Sequence, residues 1–207
     1  MGTTPDLDSL KGILMKPFSI AALALTASLM TSVAQAEPQD FVFDMSHSNI
    51  AFSYNHLGYS TTDGRFADWS GTLVIDEEKP ENSKVDITIS TNSLDTFSQK
   101  RDEHLKGADF FNVEKYPEAT FRSTKVMKTA ENMLEVTGDL TLHGVTKPTT
   151  LEVTVNRLAE HPMSKKMVAG LTATTMIKRS EFGIDKYVPY VGDEVTITIN
   201  SEASLAQ

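Results

Sequence analysis

Apolar and polar side chains alternate with a period of two along much of the chain, the pattern of strands with one buried face. Ile50, Phe52, Tyr54 and His56 share one face of a run, with Asn49, Ser53, Asn55 and the small Ala51 on the other. Val85-Asp86-Ile87-Thr88-Ile89 alternates cleanly. So do Leu134-Glu135-Val136-Thr137, running on to Leu140 and Leu142, and Leu151-Glu152-Val153-Thr154-Val155. Val195-Thr196-Ile197-Thr198-Ile199 is the clearest case. Arg65 to Ile75, Ala119 to Lys125 and Met167 to Ile177 are weaker candidates, and Phe41 to Asp44 makes a short one. Val, Ile and Thr dominate these runs, as pleated and half-buried backbone prefers.

Turn-forming clusters separate the runs: Leu57-Gly58-Tyr59, Glu77 to Asn82, Glu131-Asn132 and Gly144 to Pro148. About eight strands at this spacing predict an all-β protein, an antiparallel barrel or sandwich. Gly64 and Gly138, inside strand runs, suggest bends or bulges. One stretch breaks the rhythm. Ser98 to Glu118 is polar and, apart from Val113, free of β-branched residues. Gln99 to Leu105 reads as a short helix inside an insertion around residues 98–115, with Phe110 and Phe111 seating it on the sheet. Closing eight strands into a barrel removes the exposed edges, and a barrel of that size either fills with side chains or holds one small ligand. Periodicity alone does not separate a hollow barrel from a packed sandwich.

The N-terminus reads as an address. Residues 15–36, MKPFSIAALALTASLMTSVAQA, place Lys16 before an apolar stretch and end in Ala34-Gln35-Ala36, the small-x-small pattern of a secretory signal cleaved after Ala36. The apolar stretch, Phe18 to Met30, is shorter than the ~20 residues of a membrane-spanning helix. The preceding 1–14 carry Asp6 and Asp8, which a signal start avoids, so Met15 reads as the start of the signal. Residues 1–36 are therefore expected to be an extension plus signal peptide, and 37–207 one domain destined for a bacterial periplasm.

Composition narrows the function. With 40% hydrophobic and 23% charged residues, the chain is ordinary for a globular protein. Its 28 acidic and 19 basic side chains give a net charge of −9, which repels nucleic-acid phosphates. Cysteine is absent, which excludes disulfides, thiol nucleophiles and thiolate metal sites. There is no G-x-S-x-G elbow, phosphate-binding loop, G-x-G-x-x-G or H-E-x-x-H. Of the five histidines, no pair has the spacing of a local metal site, which leaves only a tertiary cluster of His47, His56 and His143. Asp95, Arg101, Asp102 and His104 form a dense polar group, read here as a network that fixes the helix, with Arg101 forking onto a carboxylate. No catalytic residue, metal or cofactor is assigned.

An ordered set of motifs resembles the YceI-like family. It comprises Asp44-x-x-His47-Ser48, Phe52-x-x-x-His56-Leu57-Gly58-Tyr59-Ser60, Gly64-x-Phe66 and Leu94-Asp95-Thr96. Arg101-Asp102-x-His104-Leu105, Ala108-Asp109-Phe110-Phe111 and Lys115-Tyr116-Pro117-x-Ala119-Thr120-Phe121-x-Ser123 follow. Gly138-Asp139-Leu140-Thr141-Leu142-x-Gly144-Val145-Thr146-Lys147-Pro148 is the longest match, and Phe182-Gly183 and Val191-Gly192-Asp193-Glu194-Val195 close the series. The resemblance spans about residues 40–203. Two departures are Glu181, where Asp is common before Phe182-Gly183, and His143, which takes no role here. The resemblance implies a lipocalin-like, eight-stranded antiparallel barrel with an interior cavity for a polyisoprenoid, a quinone-like molecule or a fatty-acid-derived lipid. Its members are often dimers.

On that basis the chain is expected to be a periplasmic carrier. Each buried methylene contributes about 0.8 kcal/mol, so a long chain is driven strongly into an apolar tunnel, and a few polar groups orient its head. The expected wall is Ile50, Phe52, Tyr54, Phe66, Val85, Ile87, Phe121, Leu134, Val136 and Leu140, with Met133 and Met176 as adaptable lining. Tyr54, His56 and Arg101 are the expected polar end. A homodimer and transient membrane contact are compatible with this reading; nucleic acid is not a partner. Two rivals stand beside it: an enzyme acting on a lipid-like substrate around His47, His56 and Asp95, and a packed barrel with an exposed interaction face.

Overall fold

The structure, a computed structural model, describes Met1 and residues 37–206. The expected extension and signal peptide, 1–36, lie outside the described residues except for Met1. From residue 37 onward the chain forms β1 (Gln39–Phe43), β2 (Asn49–His56), β3 (Ser60–Phe66), β4 (Trp69–Ile75), β5 (Lys84–Ser90) and β6 (Leu94–Asp95). The helix α1 (Gln99–Lys106) follows, then β7 (Glu118–Ala130), β8 (Met133–Leu142), β9 (Val145–Glu160), β10 (Met167–Lys178) and β11 (Val191–Leu205).

All strand pairs are antiparallel, and β1 closes the ring by pairing with β4 on one side and β11 on the other. The closed circuit is β1-β4-β5-β7-β8-β9-β10-β11, an eight-stranded barrel. β2 lies along the same side of β11 as β1, farther up: Phe41 faces Leu205, while Ile50 faces Ile199 and His56 faces Val191. β1 and β2 are thus one wall path broken at residues 44–48. β3 and β4 are a second path, broken between Phe66 and Trp69, and β5 and β6 a third, broken over residues 91–93. The expected single strand over Arg65 to Ile75 is therefore two strands with a corner between them.

The two glycines inside strands do different work. Opposite Gly138 the register of β7 shifts between Ser123 and Lys125, a bulge as expected. At Gly64 the β2–β3 register runs unbroken, so no bulge interrupts the pairing there. A Cβ there would lie 2.3 Å from the Phe52 ring, so glycine serves to let that ring lie against the backbone.

Inward-facing residues form three apolar clusters. Phe41, Leu73, Ala169 and Ala203 pack near the β1 end, and Phe121, Val126, Val136, Leu151, Val153 and Ala173 at mid-height. At the far end Phe110 joins Ala119, Leu142, Ile177, Phe182 and Ile184, with Leu105 of α1 and Phe111 packed against them. The segment 98–117 thus bridges β6 to β7 at that end, as its lack of β-branched residues and its Phe110-Phe111 pair lead one to expect. The helical part covers only residues 99–106; residues 107–116 are turns and irregular backbone. No helix among the described residues is long and apolar enough to cross a membrane.

Candidate functional site

The inner faces do not meet across the barrel axis. They enclose an apolar cavity of about 490 Å³. It is lined from Val191 to Ser201 along β11 and from Thr149 to Leu158 along β9, on the order of 30 Å of strand path. The wall is almost wholly hydrocarbon. Thr149, Thr175 and Ser201 are its polar members at mid-height, and Ser83 and Lys84 lie toward the β1 end.

Twelve of the thirteen expected site residues lie on this wall: Ile50, Phe52, Tyr54, His56, Phe66, Val85, Ile87, Arg101, Phe121, Leu134, Val136 and Leu140. Met176 does not, and its expected place is corrected. The residue is 59% exposed on the outer face of β10. Met176 pairs with Thr196, while Val195 and Ile197 on either side of that partner face inward, so the parity of the ladder sends Met176 out. Met133 is corrected for the same reason. It pairs with Thr154, between the inward Val153 and Val155, and is 44% exposed.

Several wall residues escaped the sequence reading. Trp69 and Leu73 belong to the strand whose start was hidden by the corner at residues 67–68. His104 and Leu105 come from α1, and Tyr187 and Arg179 from the segment between β10 and β11. The adjacent pair Lys178-Arg179 at the end of an alternating run was the available signal for Arg179, since parity turns one of the two inward.

The polar end is built by three elements. β2 delivers Tyr54 and His56, because their parity matches Ile50 and Phe52. α1 delivers Arg101 and His104, one helical turn apart. His104 meets Phe110 edge-on with ring centres 5.0 Å apart and lies 6.4 Å from the Tyr187 ring, which ties α1 to the segment before β11. Arg179 is only 8% exposed. Its guanidinium donates to the carbonyls of Ile184 at 2.7 Å, Gly192 at 2.9 Å and Val191 at 3.0 Å. Burial holds its pKa below the ordinary arginine value, against the opposing charge of Asp193. Burial also pushes the Asp193 carboxyl upward, but hydrogen bonds from the Ser180 N–H and hydroxyl and the Arg179 charge outweigh it and leave it lowered.

The network around α1 differs in detail from the expected one. Arg101 does not fork onto a carboxylate. Its Nε donates to Thr96 Oγ1 at 2.8 Å and a terminal nitrogen donates to the Thr96 carbonyl. Thr96, fully buried, donates its N–H to Asp102 Oδ1 at 2.8 Å and its hydroxyl to the same oxygen. Asp95 instead pairs with Arg65 at 2.9 Å and accepts the Phe97 N–H. The Phe97 bond and then Arg65 hold its carboxyl below the usual range. The reason is geometric: Asp95 and Arg65 are direct cross-strand partners.

The three histidines weighed as a tertiary cluster are dispersed among separate surroundings. His56 lines the cavity. His143 packs against Tyr116 with centroids 4.5 Å apart, and its Nδ1 lies 3.1 Å from the Phe182 carbonyl. His47 sits at the exposed corner between β1 and β2, its Nδ1 2.9 Å from Asp44 Oδ2. Glu202 lies close by, so that one ligand atom from each of Asp44, His47 and Glu202 falls within 4.8 Å of the others. This corner is outside the cavity.

Comparison with known proteins places the chain. The YceI-like domain profile matches residues 41–203. Protein YceI of Escherichia coli O17:K52:H18 is 44% identical over 183 residues, covering 87% of this chain and 95% of that one. The Campylobacter jejuni YceI crystal structure superposes with a TM-score of 0.69 at 32% identity, over 74% of this chain and 90% of that one. A domain from Saccharophagus degradans, described as polyisoprenoid-binding and implicated in plant cell wall breakdown, shares the fold. Its TM-score is 0.58 at 15% identity, over 82% of this chain and 100% of that one.

Proposed function

The chain belongs to the YceI-like family, and on that premise we propose that its barrel binds a long-chain isoprenoid or similar amphipathic lipid and carries it through the periplasm. The observation that carries this reading is the cavity itself. A closed eight-stranded barrel can be filled by its own side chains. This one keeps an apolar hollow along its axis, bounded by Ile50, Phe52, Val136, Leu140, Ile197 and Ile199 among others. Apolar hollows of this kind stay dry and favour hydrocarbon. Each methylene that leaves water for such a wall contributes about 0.8 kcal/mol, offset in part by the ordering of the chain. The fold it shares with the Saccharophagus domain agrees with a hydrocarbon chain as occupant. The leader expected at residues 15–36 supports the periplasmic setting.

The geometry favours this reading over catalysis. The residues that would serve an enzyme do not converge: His47 bonds Asp44 at an outer corner, Asp95 bonds Arg65, and only His56 faces the cavity. The hollow also disfavours the packed-barrel alternative.

The test is native mass spectrometry of protein purified from its own periplasm, paired with organic extraction. The expected result is a stoichiometric long-chain adduct. Ala173 faces the hollow at mid-height. Ala173→Phe is expected to lose the adduct while keeping the wild-type circular dichroism spectrum, because the added ring projects from the mid-height cluster into the hollow that Ala173 lines. An Ala173→Phe protein that retains the full adduct, or a wild-type protein without one, would overturn the proposal.

A further inference from the structure

We propose that the amphiphile held in this barrel carries an anionic head group, a carboxylate or a phosphate monoester, bound at the α1 end of the cavity; this rests on the lipid-binding reading above. The chain has 28 acidic side chains against 19 basic ones. Yet among the described residues the cavity is lined by no aspartate or glutamate, and by Lys84, Arg101, Arg179, His56 and His104. A wall assembled without regard to charge would carry the acidic excess of the rest of the molecule.

The basic groups are also concentrated. Lys84 lies alone toward the β1 end, where β5 begins. The other four gather at the opposite end. His56 faces Val191 across the β2–β11 ladder. Arg179 grips the carbonyls of Val191 and Gly192. Arg101 and His104 share one face of α1. Tyr54 and Tyr187 add hydroxyls at the same end.

Among these, Arg101 has a charge left to satisfy. Arg65, Lys147, Lys165 and Lys186 each form a salt bridge with a carboxylate, and of the described lysines and arginines that form none, all but Arg101, Lys106 and Arg179 are exposed to water. Arg101 forms none among the described residues, because the Asp102 carboxylate beside it accepts from Thr96. Its guanidinium is half-buried, spends Nε and one terminal nitrogen on Thr96, and borders hydrocarbon. A neutral ring or alcohol head would need donors but no positive charge. An anionic head supplies the missing countercharge through a charge-assisted hydrogen bond.

The experiment uses delipidated full-length protein and four probes with the same saturated chain: palmitic acid, cetyl phosphate, cetyl alcohol and palmitamide. Trp69, the chain's single tryptophan, lines the cavity and reports tail entry by fluorescence. The acid and the phosphate are expected to bind about ten-fold more tightly than the alcohol and the amide, the gap between a charge-assisted and a neutral hydrogen bond. Raising ionic strength should narrow that gap without any substitution. Arg101→Gln should erase the gap, judged as the ratio of acid to alcohol affinity within that variant, and Arg101→Lys, which keeps the charge, should retain it. Equal binding of all four probes, or a gap indifferent to salt, overturns the anionic head and leaves the lipid reading standing. Arg101→Gln weakening acid and alcohol alike would assign Arg101 a structural role and overturn its part. Acetate or inorganic phosphate matching the long-chain acids would show a free-anion site and overturn the tail-anchored head. Failure of every long-chain probe to bind would overturn the lipid reading itself.

Discussion

At the corner between β1 and β2, Asp44 binds the Ser46 N–H at 2.9 Å, the Ser46 hydroxyl at 2.6 Å and His47 at 2.9 Å, all in the open. At the α1 end of the cavity, Arg101 and Asp102 close around a Thr96 that has no exposed surface, and Arg179 donates one N–H from each guanidinium nitrogen to a carbonyl. The two regions use the same kinds of residue, and in the sequence Asp44-x-x-His47 and Arg101-Asp102-x-His104 look equally suggestive. Their surroundings separate them. Water competes for every bond at the corner, so breaking one costs little. At the cavity end each lost partner strands a polar group away from water. Hydrogen bonds there hold the segments that bound the hollow, whereas those at the corner hold a turn.

The largest break in this contrast should come from Arg179→Met. It leaves the carbonyls of Ile184, Val191 and Gly192 without their donor. The expected loss is about 3 kcal/mol or more, read as a lower urea midpoint at an unchanged slope. A midpoint within error of the wild type would mean that water reaches those carbonyls and that the end is less enclosed than described.

Thr96→Val should cost somewhat less, about 2 kcal/mol, since Asp102 and Arg101 each lose one partner while the Thr96 backbone bonds persist. Thr96→Ser should recover most of that loss. If serine and valine behave alike, the methyl group rather than the hydroxyl matters, and the contrast between the two regions weakens.

The smallest effect belongs to the corner. Hydrogen bonds from Ser46 and then from His47 hold the Asp44 carboxyl far below the usual range, and the bond to Asp44 raises the His47 imidazole. A lowered carboxyl contributes stability that fades as pH falls through its folded value. A raised imidazole contributes stability that fades as pH climbs through its own. The pair therefore helps most in the interval between. An NMR titration of the His47 ring should show the raised value in the wild type and an ordinary one in Asp44→Asn. The melting temperature of Asp44→Asn should not move measurably, because both groups are exposed. A clear drop would place the corner with the cavity end.

Much of the wall was legible in the chain. The β2 run put Ile50, Phe52, Tyr54 and His56 on one face because parity along a strand is a strictly local property, and all four line the cavity. Parity was ambiguous in β10, where Met176 and Ile177 stand side by side and either could face in. Only the pairing of Met176 with Thr196 decides between them. The corners at residues 44–48, 67–68 and 91–93 were illegible for a related reason. Each divides a wall path whose two halves are aligned by a distant partner, as β11 aligns β1 and β2. The polar end joined segments from 45 to 133 residues apart in the chain, Tyr54 and His56, Arg101 and His104, Arg179 and Tyr187, which no local spacing links.

What the amino-acid sequence determined by itself was therefore the cleanly alternating strands, the α-helix, the face each clean run buries and the absence of thiol chemistry. These follow from residue type and from the backbone's own period. Tertiary structure alone decided that the buried faces surround a space instead of filling one. That outcome depends on barrel diameter, which is set by how many paths close the ring through the β1–β4 and β1–β11 pairings. It depends also on which polar side chains arrive at the same end of that space. Both are sums over contacts between residues far apart in the chain, and such sums exist only once the ring has closed.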